Sequence, residues 1–260
     1  MRYGLKYDEV VIGDHYIHGE HTKLGAAPLN PSGDWLRYTP ADELQARSFE
    51  TQTCTVFGTF NAIELLTKLH QSQNRLLTLP LNYSERYTAI LSGTDPNSGN
   101  TPHTVAETIR LKGAVPEHVL PFLDTNVAEF FSGISPDMGT IAELHRKALG
   151  FGHEWVFKPT DTLPKKRHKI SQTLPLSPLG ISVPAWHERD GFYYRPEGFM
   201  DNHWAVLVAE TLDFDWVFDS YAPFLKKVRR DTNYAFCKRY SIGNPQALSL
   251  WDRLRAIIGL

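Results

Sequence analysis

The chain has 260 residues, 42% hydrophobic and 22% charged, enough apolar material for one large core or two modest ones. Lys and Arg number 27 against 29 Asp and Glu, and a net charge of −2 supplies no general attraction to nucleic acid or to an anionic membrane. Two cysteines, Cys54 and Cys237, cannot build a disulfide framework, and the opening MRYGLKYDEVVIGDH lacks the apolar stretch of a signal peptide. The longest purely apolar run, 204–209, falls far short of the ~18–20 residues that span a bilayer. These features predict a soluble protein that folds in a reducing compartment.

In chain order, residues 1–30 mix charge, Gly and His and end in a string of turn formers, which predicts an irregular arm. From Cys54 onward, Val56, Phe57, Phe60, Ile63, Leu66 and Leu69 recur at three- and four-residue steps, the pattern of a buried helix, with Thr51 and Thr53 as candidate caps. Thr101-Pro102 announces a second helix, with Val105 and Ile109 on its inner face and Gly113 as its stop. Residues 136–150 read as a third, closed by Gly150. The stretch 158–178 is basic and proline-rich and predicts a connecting loop. Short runs dense in aromatic and β-branched residues follow, predicting strands near 179–186, 203–210, 216–221, 224–229 and 234–242. The tail 244–260 places Leu248, Trp251, Leu254, Ile257 and Ile258 at helical spacing, an amphipathic helix suited to packing on the body or on a protein partner. The expected class is α+β: an arm (1–30), a helical lobe (31–150), a β-rich lobe (151–243) and the terminal helix.

Three residues carry candidate chemistry. The positive end of a helix dipole favours a thiolate, and Cys54 stands at such a helix start. His203 opens a strongly apolar strand, a place that holds an imidazole rigidly, and Asp219 ends the next strand, where antiparallel pairing would set it beside His203 to fix the tautomer. Taken singly, each also fits a structural residue: a small buried thiol, a satisfied histidine, a turn aspartate.

The surroundings of these residues resemble the papain-like cysteine peptidases over roughly 34–243. Cys54-Thr55-Val56-Phe57-Gly58 matches the family's Cys-Trp-Ala-Phe-Ser helix start, followed by Ile63-Glu64. LNYSERY (81–87) is similar to its Leu-Ser-Glu-Gln-Glu-Leu stretch, and SGNTPHTVAETIRLKGAVPEHVLPF (98–122) to its glycine-rich loop, helix, turn and Tyr-Pro-Tyr sequence. PLGISVPAW (178–186), NHWAVLVAE (202–210) and VFDSYAP (217–223) resemble the strands carrying Pro-Val-Ser-Val, Asp-His-Ala-Val and Lys-Asn-Ser-Trp-Gly, and LNPSGDWLRYTPADELQ (29–45) resembles the mature start. The resemblance implies a two-lobe fold, a helical left lobe and an antiparallel β-barrel-like right lobe with a cleft between them. It implies a cysteine endopeptidase working without cofactor on peptide or protein substrates, with Cys54 as nucleophile, His203 as acid and base, and Asp219 in place of the usual Asn.

The family's oxyanion glutamine normally stands six residues before the cysteine, where this chain has Ser48. Gln45 is the preferred candidate and Gln52 the other. By similarity, residues 98–101 would line the substrate backbone, and Ala205 and Met138 would shape the main specificity pocket. The lobe-stapling cysteines and a long helical propeptide have no counterpart, so any control of the cleft is expected from the short arm. These traits resemble disulfide-free papain-like proteins of bacteriophages and bacteria, which implies a cytoplasmic or virion-associated location. A rival reading is a papain-like domain kept for structure or binding, as in a virus particle; a third is another acyl transfer, such as amidase or transglutaminase action. His15, His18 and His21 with Glu20 lack paired zinc spacings, and Lys165, Lys166, Arg167, His168 and Lys169 read as a solvated loop, so neither a metal nor nucleic acid is expected.

Overall fold

A computed structural model describes residues 4–8, 29–40, 44–73 and 79–243. Helices come first: α1 (Cys54–Ser72), α2 (Glu85–Leu91), α3 (Pro102–Lys112), α4 (Val127–Phe130) and α5 (Pro136–Leu149). After β1 (Gly152–Trp155) and α6 (Leu163–Thr173) come β2 (Leu179–Val183), β3 (His187–Arg189), β4 (Phe192–Tyr194), β5 (His203–Glu210), β6 (Phe214–Phe218), β7 (Leu225–Arg229) and β8 (Cys237–Ser241).

The helix signals hold in detail. Thr101 caps α3 by accepting from the Thr104 N–H at 3.1 Å, and Pro102 follows at the helix start. Gly150 ends α5 in the left-handed region, φ 52°. Helix α1 is buried on nearly all sides, and two of its core threonines bond back one turn, Thr59 Oγ1 to the Thr55 carbonyl at 2.7 Å and Thr67 Oγ1 to that of Ile63 at 2.9 Å.

The strands form one sheet in the order β1-β8-β2-β5-β6-β7-β4-β3, antiparallel except for a single parallel pairing of β4 with β7. Two registers matter for the site: Val183 lies opposite His203, and Val206 opposite Phe218, so the start of β5 and the end of β6 meet at one rim of the sheet. Helix α1 packs on β5. A Cβ added at Gly58 would come within 2.7 Å of Trp204 Cδ1; glycine there lets the indole that follows His203 lie directly on the helix that begins at Cys54.

Two expectations change. Residues 163–173 are helical rather than a loop, because the proline falls in the first turn, where a missing N–H costs nothing. The basic cluster is correspondingly an anchor rather than a solvated face. Lys166 donates to the Tyr234 carbonyl at 2.9 Å, Lys169 pairs with Asp161 at 2.9 Å, and Arg167 pairs with Asp215 at 2.6 Å. Strands β1, β3 and β4, each of three or four residues, carried too little alternation to be read from sequence. The tail helix expected over 244–260 and the histidines of the arm lie outside the described residues. No described helix is long and apolar enough to cross a membrane, and no metal-site cluster of His, Cys, Asp or Glu occurs among the described residues.

Candidate active site

Cys54 is the first residue of α1 and is fully buried. The caps expected above it act differently: Thr51 and Thr53 pair through their hydroxyls at 2.5 Å, and Thr51 is also bonded to the Gln45 carbonyl at 2.9 Å. Thr53 makes no side-chain cap; its carbonyl accepts from the Val56 and Phe57 N–H groups at 2.9 and 3.1 Å, and Cys54 stands at the positive end of the α1 dipole. Sheet geometry delivers the partners. His203 Nε2 lies 2.5 Å from Asp219 Oδ1, both side chains are fully buried, and the imidazole is hydrogen-bonded to the Cys54 side chain. With Nε2 turned to Asp219, Nδ1 is the nitrogen left for sulfur.

Burial alone would favour a neutral His203, but Asp219 and then Cys54 reverse this and raise its pKa to about 10. Burial likewise opposes the charge on Asp219, yet His203 and Lys226 beside it hold the carboxyl below its usual range. Rings fix the imidazole, with Trp186 edge-on at 5.7 Å and Tyr221 at 5.3 Å between centroids.

Gln45 is buried on the Asp219 side of the cluster. Its carbonyl accepts from Ser220 Oγ at 2.8 Å and its amide donates to Glu50 Oε1 at 2.7 Å, leaving one amide N–H without a partner among the described residues. Gln52, two residues before Cys54, has φ 58°, an uncommon backbone state for a residue with a side chain, and its N–H donates to the same Glu50 oxygen at 2.8 Å. Tyr221 completes the set, donating its hydroxyl to Glu50 Oε2. Glu50 thus ties the loop carrying both glutamines to the loop after Asp219. Nothing in its sequence context marked it, because the side chains it joins, Gln45 and Tyr221, are 5 and 171 residues away.

The cleft is occupied by the chain itself. Asn100 N–H donates to the Gly4 carbonyl at 3.0 Å and Lys6 N–H to the Asn100 carbonyl at 2.9 Å, pairing Leu5 with Asn100 in parallel. Gly99, at φ 77°, permits this approach, since a Cβ there would overlap the Gly4 carbonyl. Leu5 packs on the cluster Cys54, Trp155, Trp204 and Phe236, Tyr7 stands edge-on to Phe236, and Asp8 accepts from the His103 N–H at 3.1 Å. Within 98–101, Asn100 makes the backbone hydrogen bonds to residues 4 and 6 of the same chain. The expected pocket residues do not join them: Met138 packs with Tyr87, Val115 and Ile141 in a separate cluster, and Ala205 is buried in the main core. Trp155 and Phe236 are the aromatic residues packed with Cys54, Trp204 and Leu5, and neither stands in a motif that sequence reading could use.

No protein-family profile matches the chain, and no curated protein matches it. Solved structures do. Xylellain, a cysteine protease from Xylella fastidiosa, superposes with a TM-score of 0.64 at 15% identity over 94% of this chain and 96% of that one. The cysteine protease and lectin-like domains of Cwp84, a surface layer associated protein of Clostridium difficile, give 0.59 at 13% identity over 90% and 56%. The Carica candamarcensis cysteine protease CMS1MS2, solved with E-64, gives 0.54 at 14% identity over 82% and 98%. The fold is the two-lobe, α+β fold of the papain-like cysteine proteases.

Proposed function

We propose that the protein is a papain-like cysteine endopeptidase that is latent while residues 4–8 lie in its cleft. The observation that carries this reading is the line Cys54, His203, Asp219: a thiol at an uncapped helix start, bonded to an imidazole whose far nitrogen is 2.5 Å from a buried carboxylate. Once the cleft is vacated, Cys54 Sγ attacks a peptide carbonyl carbon. The oxyanion is met by the Cys54 N–H and the second amide N–H of Gln45; Gln52 is the lesser candidate because its backbone is held by Glu50. His203 passes its Nδ1 proton to the leaving amine as the C–N bond breaks, giving a thioester. Water then attacks that thioester, returning a proton to His203 and releasing Cys54. Asp219 orients the ring. The substrate is a peptide or protein, with no cofactor, nucleic acid or membrane in the reaction.

The complete burial of Cys54 favours a second reading, a papain-like domain that holds a segment without cutting it, as a structural component of a particle would. The rate of Cys54 alkylation by iodoacetamide across pH 4–9, followed by intact mass in wild type and His203→Ala, separates the two. The peptidase reading requires an alkylation rate that holds level down to pH 5–6 in wild type and loses this in His203→Ala, together with hydrolysis of a peptide mixture by Leu5→Ala, whose segment is loosened, that is lost when Cys54→Ala is added. Slow alkylation rising only with pH, alike in both proteins, refutes it.

A further inference from the structure

Lys226, on β7, is a buried lysine with 1% of its surface exposed. An ammonium in such a place is costly unless each of its three protons is met. Here they are: it donates to Asp219 Oδ2 at 2.7 Å and to the carbonyls of Tyr221 and Pro223 at 2.6 Å each. It also lies over the ring of Trp186, 4.9 Å from the centroid, and that ring stands edge-on to His203. Asp219 is therefore shared. Oδ1 takes His203 Nε2 and the Ser220 N–H, and Oδ2 takes Lys226.

We propose that Lys226 is a positioning residue for the Cys54–His203 chemistry, locking Asp219 in place and offsetting its charge so that His203 meets an acceptor closer to a neutral amide than to a lone carboxylate. The inference rests on the peptidase reading, and the chemistry gives it a purpose. An imidazolium held by an uncompensated buried carboxylate is a reluctant acid, and the leaving amine needs its proton. The ionisable groups facing the pair are Cys54 from α1, Tyr193 from β4 with Glu188 beyond it, and Tyr221 with Glu50 from the loops. Besides the imidazole itself, Lys226 is the one cation in this set among the described residues.

The test is a double-mutant cycle read by pH. In Lys226→Met, the alkaline limb of kcat/KM for peptide hydrolysis should rise by about one pH unit or more. In Asp219→Asn, which leaves the ammonium facing the ring uncompensated, it should fall by a similar amount. Lys226→Met/Asp219→Asn, with both charges gone, should return close to wild type and recover activity relative to either single variant. The same order is expected in the 15N shifts of the His203 ring titrated in a Cys54→Ala background, which need no turnover. Should Lys226→Met fail to fold, the double variant against Asp219→Asn carries the comparison, with the limb expected higher in the double. Limbs that do not move, or move the same way in both single variants, overturn the inference. A wild type without His203-dependent alkylation or hydrolysis, but with the opposed ring titrations, overturns the peptidase reading while leaving the charge relation standing.

Discussion

Removing the side chain that seats the N-terminal segment should expose the cysteine. The segment is held by two backbone hydrogen bonds to Asn100, the bond from the His103 N–H to Asp8, and the half-buried side chain of Leu5 on the cluster around Cys54. Each such hydrogen bond contributes about 1 kcal/mol net, while ordering each backbone residue costs about 1–2 kcal/mol, so contacts and ordering cost are of the same size and the loss of one contact shifts the balance. Truncating a half-buried leucine to alanine removes about 1–1.5 kcal/mol of apolar contact, which raises the undocked population roughly 5–10-fold. The alkylation rate of Cys54 in Leu5→Ala, measured at pH 6 with limiting iodoacetamide and intact-mass detection, should rise by that factor. Cys237 is fully buried in the sheet and serves as the internal control, with no change expected. An unchanged Cys54 rate in both Leu5→Ala and Gly4→Val would refute the argument, because the valine must collide with the Gln52 carbonyl as well.

Two further outcomes follow from the packing and the charges. Gly58→Ala should lower the melting temperature by about 2–8 °C, because the ~1 kcal/mol gained in helix propensity is outweighed by forcing Trp204 off α1; a higher melting temperature contradicts that packing. Since the His203 pKa rises on folding, its protonation stabilises the fold fully below about pH 6.5 and this is lost as pH climbs through about 10, whereas the depressed Asp219 adds stability that disappears as pH falls into the acid range. Urea unfolding of wild type should therefore weaken between pH 7 and 10 more than that of His203→Gln, and parallel curves would show that the ring does not carry the effect.

Much of this architecture was legible because its signals are local. The apolar steps after Cys54, the Thr101-Pro102 start and the Gly150 stop each act within one or two helical turns, and the structure keeps all three. The strand expected at 203–210 has those ends in the structure, whereas the one expected at 216–221 runs from Phe214 to Phe218, since strand ends depend on partners rather than on the strand itself. Strand pairing sets Asp219 beside His203, and it is the resemblance to a known fold that joins Cys54 to them. What stayed hidden is non-local. Glu50 gains its meaning from Tyr221, Lys226 from a carboxylate at the end of the neighbouring strand, and Gly4 and Leu5 from a loop nearly a hundred residues away. Lys226 also changes an expectation about Asp219. From sequence, Asp219→Asn should be well tolerated because an amide can orient the ring; in the structure it strands a buried ammonium, so tolerance is expected only when Lys226 is removed too.

The short segment across the cleft also sets a threshold for competitors. Residues 4–8 belong to the same chain as the site they cover, so the cleft meets them at an effective concentration that for tethered ligands is of the order of millimolar, whatever the protein concentration. A handful of contacts too weak to hold a free pentapeptide is then enough to keep the site occupied. Dilution would not relieve such occupancy, and a loose substrate would have to match that local concentration before it gained the cleft, which gives an advantage to long substrates that grip the surface beyond it.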